Sequence, residues 1–163
     1  MRERGQFTGM LEERRRDVEH DGGNGDRRTA ADLTIVLPLE KREVGSVRRS
    51  LRELLSRGSV PRTIADDIVL STQEACNNVI VHGRDGGGGI RVTASLRDHR
   101  VFVEVRDHGR GFDATRIRPD RMPEPLCPGG RGLFLIYHLM DDVEVRSGSG
   151  GTVVRMSKRT RTA

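Results

Sequence analysis

The chain has no tryptophan, one tyrosine and four phenylalanines among 163 residues. A core must therefore come from Val, Ile and Leu, and the aromatic platforms on which single-stranded nucleic acid stacks are missing. Two cysteines, Cys76 and Cys127, are too few for a disulfide framework and stand at no zinc-ligand spacing. Both read as reduced thiols. No apolar run approaches the roughly 20 residues that a bilayer-spanning helix needs, and the first residues form no apolar h-region. The expectation is a cytoplasmic chain with no membrane contact.

The excess of base is smaller than the net charge of +5 suggests. Seven Arg in residues 1–30 are matched there by seven acids. Arg155, Lys158, Arg159 and Arg161 lie in a stretch without an acid and supply four of the five net charges. What lies between is near neutral, so the sequence offers a basic tail rather than a basic face. Direct nucleic-acid binding is not expected.

Residues 1–30 mix Arg, Glu, Asp and Gly and hold too little apolar surface to pack. They read as a disordered or weakly ordered extension, residues 31–158 as one domain, and 159–163 as a basic tail. "LTIVLPL" (33–39), with Pro38 near its end, suits an edge strand. "EKREVGSVRRSLRELLSRG" (40–58) spaces Val44, Val47, Leu51 and Leu54 or Leu55 as on a helix, and Gly58 stops it. Pro61 opens a second helix over about 62–82, with Gly83 at its C′ position.

The period then changes to two. "GIRVTASLR" and "RVFVEVRD" alternate on either side of a two-residue "DH" turn and form a hairpin. Residues 108–129 are an irregular connection with four prolines, of the length that is usually functional. "GRGLFLIYHLMDD" starts a third helix from Gly130, striped by Leu133, Ile136 and Met140. "VEVRSGSGGTVVRMSK" closes the chain as a second hairpin turning at its Gly/Ser run. The order predicts an α+β two-layer sandwich: a mixed, mostly antiparallel sheet covered on one face by about three helices.

Four short blocks carry polar residues where packing alone would not ask for them. In "STQEACNNVIVHG" (71–83), Glu74 and Asn78 stand one turn apart on one ridge of the second helix, at the margin of the stripe of Ile64, Ile68, Ala75 and Val79. Asn77 points away from the core on the same wheel. A carboxylate and an amide so placed suit a bound magnesium phosphate, as base and as metal ligand; they equally suit a plain polar helix margin. In "RDHGRGFD", Asp107 ends a strand, and Gly109 and Gly111 follow at once. A carboxylate there accepts from an exocyclic amine such as adenine's, although Asp-His-Gly is also an ordinary turn. "PGGRGL" brings Gly129, Gly130, Arg131 and Gly132 to a helix start, where free N–H groups and the dipole favour phosphate. The alternative is a flexible cap. "GSGGTVV" sets Gly151 and Thr152 at the start of the last strand, which is also what a hairpin turn does. His82, His99, His108 and His138 fall into no ligand spacing.

Taken in order, "EACNNVIVHG", "RDHGRGFD", "GGRGL" and "GTVVRM" resemble the N box and the three glycine boxes of the GHKL ATPase/kinase superfamily. Within it the short chain is similar to the bacterial anti-sigma factor serine kinases, and "MDDVEV" after the third helix fits the same group. The resemblance spans about residues 31–158. It implies Mg-ATP binding, sequestration of a sigma factor and phosphorylation of a Ser or Thr on an anti-anti-sigma partner of the STAS type, with homodimers among its members. Carried over by position, it implies Glu74 as general base and Asn78 as the magnesium ligand. It implies Asp107 with Gly109 and Gly111 at the adenine, Gly130, Arg131 and Gly132 at the phosphates, and Thr152 as the hydroxyl near the base. Some relatives place an arginine where this chain has Pro128. Two other readings stand beside the kinase: a nucleotide-dependent binding regulator that transfers no phosphate, and a detached histidine-kinase catalytic domain.

Overall fold

A computed structural model describes residues 32–82, 88–113 and 131–160. The expected N-terminal extension, the helix stop at Gly83, most of the proline-rich connection with Cys127, Pro128 and Gly130, and the end of the basic tail all lie outside the described residues.

The chain runs through strand β1 (Asp32–Leu37), a 3-10 turn (Lys41–Glu43), helices α1 (Val44–Arg57) and α2 (Arg62–His82), strands β2 (Ile90–Arg97) and β3 (Arg100–Arg106), helix α3 (Arg131–Leu139) and strands β4 (Asp142–Gly148) and β5 (Gly151–Arg159). The five strands form one sheet in the order β1-β2-β3-β5-β4. Strand β1 does occupy an edge. Every neighbouring pair is antiparallel, which corrects the mixed pairing allowed for from the sequence. The cause is topological: α3 returns the chain so that β4 runs parallel to β3, but β5 folds back between them and bonds to both. The parallel relation survives, separated by one strand.

Pleating fixes which side is covered. Ile90, Val92 and Ala94 of β2, Val101, Val103 and Val105 of β3, and Val154 and Met156 of β5 all point toward the helices and are buried. The opposite face carries cross-strand charge, with Arg155 Nε 2.8 Å from Glu104 Oε2 across the β3–β5 pair. Asp98 and His99, both left-handed at φ 48° and 58°, form the tight turn of the first hairpin.

Helix α1 buries Val44, Val47, Leu51, Leu54 and Leu55 on one face. Helix α2 packs against α1 on one flank and α3 on the other. Its buried surface is therefore wider than one stripe and takes in Ser71 and Thr72 with Ile68, Val69, Ala75, Cys76, Val79 and Ile80. Thr72 meets its own need by bonding Ile68 O at 2.7 Å. Lys158 of β5 clasps the helix layer: its ammonium lies 3.1 Å from Asp67 of α2 and donates to Leu139 O at the C-terminal end of α3. A cation there also complements the helix dipole.

Candidate functional site

The site begins with the central helix. Glu74 and Asn78 are both half-buried on α2, and α3 meets them with the one residue that fits. A Cβ added to Gly132 would lie 2.9 Å from Glu74 Oε2 and 3.2 Å from both Nδ2 and Oδ1 of Asn78. Any side chain at 132 would press on these two groups, so the first turn of α3 approaches them by backbone alone. Asn78 Nδ2 is shielded from solvent and has no hydrogen-bond partner among the described residues. A buried amide without a partner is costly, and this one stands at the contact with α3. Asn77, the preceding residue, is half-buried as well but is not among the atoms nearest Gly132. Arg131, the first residue of α3, is exposed.

The second part of the site is a row across the sheet. Asp107 has the parity of Val105 and so falls one step past the last inward valine of β3. Thr152 stands likewise beyond Val154 on β5, and Ser147 beyond Val145 on β4, with Ser147 and Thr152 opposite one another. Three adjacent strands thus each end their apolar inward face with a polar residue at the same end of the sheet. Asp107 is 4% exposed and Thr152 6%, so their polar atoms need partners. The Asp107 N–H donates to Thr152 O at 2.9 Å. Asp107 Oδ1 accepts the Gly109 N–H at 2.6 Å, which among the described residues leaves Oδ2 for another donor. Ser147 Oγ lies 2.8 Å from Thr152 Oγ1 and accepts the Phe112 N–H at 2.8 Å.

Gly151 explains how β5 reaches this row. It is left-handed at φ 110°, and a Cβ there would lie 2.1 Å from Asp107 O. Helix α2 packs over β3 and β5, so the first group of residues stands on the element that roofs the second. Of the residues expected from sequence, Glu74, Asn78 and Gly132 meet in one place, and Asp107, Gly109, Gly111 and Thr152 in another. Gly130 lies outside the described residues. Ser147 was not anticipated, because its role depends on a hairpin register that "GSGG" alone does not reveal. Cys76 belongs to neither group: burial pushes its thiol up to about 12, and it serves the core.

The sequence profile described as "Histidine kinase-like ATPase domain" matches residues 37–158, which takes in both groups of site residues. The chain belongs to this family. An ATP-binding domain of this kind accounts for the layered fold with its helices on one face. Within the family the chain is 33% identical over 133 residues to the serine-protein kinase RsbW of Halalkalibacterium halodurans, covering 77% of this chain and 82% of the relative. It is 30% identical over 130 residues to that of Bacillus subtilis, covering 74% and 81%. These relatives place it among the serine-protein kinases of the family.

Solved structures agree on the fold. The RsbU and RsbW domains of a Mycobacterium tuberculosis protein superpose with a TM-score of 0.63 at 26% identity, covering 82% of this chain and 34% of that one. The histidine kinase domain of a blue-light-activated kinase from Erythrobacter litoralis gives 0.53 at 22%, covering 76% and 61%; that likeness concerns the fold alone. Among the described residues, no helix is long and apolar enough to cross a membrane.

Proposed function

We propose that this serine-protein kinase takes Mg-ATP between α2, the first turn of α3 and the polar row of the sheet. It transfers the γ-phosphoryl group to a Ser or Thr of an anti-anti-sigma partner of the STAS type, and in the partner's absence it sequesters a sigma factor. The observation that carries this reading is the backbone approach of Gly132 to Glu74 and Asn78, which brings a base, an amide and a helix N-terminus to one point.

Each residue has a part set by its chemistry. Asp107 Oδ2 accepts the exocyclic amine of adenine, and guanine, which presents a carbonyl there, is rejected. Thr152 offers a hydroxyl beside it, and Gly109 holds the carboxylate's other oxygen in place. The N–H groups of the α3 first turn, with Gly132 and the charge of Arg131, face the phosphates, and the family resemblance assigns Gly130 the same part. Magnesium accepts one or two protein oxygens and completes its shell with phosphate and water, so Asn78 Oδ1 suffices as its protein ligand. Such an ion, when bound, neutralises charge on the phosphates. Bound nucleotide also brings acceptors within reach of the unpartnered Asn78 Nδ2. Glu74 takes the proton of the attacking hydroxyl as its oxygen bonds to phosphorus, and ADP departs. Among the described residues β1 is the outer strand, and its edge, with Val36 62% exposed, offers a pairing surface for the homodimer that the reading includes.

The test is incubation with γ-labelled ATP and proteins recovered on the kinase from its host. Labelled phosphoserine or phosphothreonine on a partner supports the reading. No transfer leaves a binding regulator in its place, and acid-labile phosphohistidine leaves a histidine kinase.

Two binding measurements check the residue roles. Asp107→Ala removes a charged acceptor worth about 1.5–3 kcal/mol, so calorimetry should show ATP and ADP weakened roughly ten- to a hundredfold. GTP and GDP, bound weakly by the wild type, should change little. Asn78→Ala should abolish the gain in nucleotide affinity that magnesium brings, while Asn77→Ala, whose side chain is not among the atoms nearest Gly132, should be mild. The reverse ranking would place the wrong face of α2 at the nucleotide.

A further inference from the structure

Ser147 is the only side chain in the described structure that hydrogen-bonds both the turn following Asp107 and the residue opposite it on β5. Its oxygen accepts the Phe112 N–H at 2.8 Å, and its other contact is Thr152 Oγ1 at 2.8 Å. Thr152 is 6% exposed, and through its carbonyl it holds the backbone of Asp107. The two segments meet closely throughout: a Cβ at Gly111 would lie 2.3 Å from Gly148 O and 2.8 Å from Ser147 Oγ. Phe112, three residues past Gly109, whose N–H bonds Asp107, packs against the core.

We infer that Ser147 is a specificity-determining positioning residue for the nucleotide base. It acts through Thr152, whose hydroxyl it turns toward the ligand, and through Phe112, whose N–H it holds beside the turn that follows Asp107. A backbone N–H can only donate, so the Phe112 bond occupies an acceptor site on Ser147 Oγ. Either hydroxyl can donate across the Ser147–Thr152 contact; the inference assigns that proton to Ser147, which leaves the Thr152 proton to point away from Ser147, toward the neighbouring strand that leads to Asp107. The row then presents an acceptor, Asp107 Oδ2, beside a donor, Thr152 Oγ–H. The edge of adenine offers a 6-amino donor and an N1 acceptor in matching order. Guanine offers a 6-oxo acceptor and an N1–H donor, which faces both protein groups with the wrong sign. Ser147 touches no base in this arrangement; it decides which way Thr152 faces.

The inference rests on the adenine site proposed above, and the experiment separates the two. ADP and GDP affinities are measured by calorimetry for the wild type, Ser147→Ala, Ser147→Thr, Thr152→Val, the Ser147→Ala/Thr152→Val double variant and Asp107→Ala, with melting temperatures alongside. Ser147→Ala should weaken ADP about three- to tenfold, the scale of one neutral hydrogen bond, and leave GDP unchanged, so that the preference for adenine shrinks. Thr152→Val should do the same, and the double variant should lose no more than either single one, since both delete one chain of bonds. Ser147→Thr, which keeps the hydroxyl, should restore the preference. A purely structural role would lower the melting temperature and weaken both nucleotides equally. That result, or additive losses, or an unchanged ADP:GDP ratio in Ser147→Ala, would overturn the inference while the Asp107→Ala loss keeps the adenine site standing. An Asp107→Ala variant that binds ADP as the wild type does would overturn both.

Discussion

Gly151→Ala should cost the protein both stability and its adenine preference, although it adds one methyl group. The residue sits at φ 110°, a conformation that strains any other L-residue by about 1–3 kcal/mol. The new carbon would also stand 2.1 Å from Asp107 O and 2.8 Å from Asp107 C and His108 Cα. These are backbone atoms, so no side chain can swing aside, and overpacking adds about 1–3 kcal/mol more. Relief requires the start of β5 to move away from the end of β3, and that movement breaks the Asp107 N–H to Thr152 O bond. Chemical denaturation should therefore show a loss of about 2–6 kcal/mol, the sum of these terms, and calorimetry a loss of ADP binding. Gly150→Ala is the matched control: a Cβ there meets nothing within 4 Å and its φ is not left-handed. If the two variants melted together, the close packing of this turn would not matter to the fold.

The same contrast shows what the sequence could and could not reveal. Glycine run and hairpin were legible in "SGSGG", but which glycine touches β3 is decided by register, and register depends on residues 51 positions apart such as Glu104 and Arg155. Helices α1 and α2 were legible to within a few residues because long apolar periodicity dominates local alternatives. The sheet's pairing was harder. Strand β4 could pair with β3 through a parallel crossover or leave room for β5, and the order β3-β5-β4 follows from tertiary packing that no window contains. The site divides in the same way. Glu74 and Asn78 were readable as a ridge, since i and i+4 share a helix face. That α3 comes to them with Gly132, and that Ser147 completes the row of Asp107 and Thr152, needed three dimensions.

Glu74→Gln should separate chemistry from binding more sharply than any other change. The substitution keeps the length and planarity of the side chain, so the contact beside Gly132, 2.9 Å from Glu74 Oε2 to a Cβ placed there, is preserved. What it removes is the capacity to take a proton. General-base catalysis contributes on the order of 10²–10⁴ in rate, and phosphoryl transfer to the partner's hydroxyl should fall by that factor in single-turnover assays. ATP affinity should change far less, because Asn78 Oδ1, Asp107 Oδ2 and the α3 first turn remain. Sigma-factor sequestration should persist as well, giving a variant that holds its target but can no longer modify the STAS partner. The decisive comparison is the ratio of the two losses. A variant that phosphorylates as fast as the wild type would strip Glu74 of the base role. A variant that loses ATP affinity as steeply as rate would make Glu74 part of the binding surface, because a base that acts only on the hydroxyl proton has no reason to hold the nucleotide in the ground state.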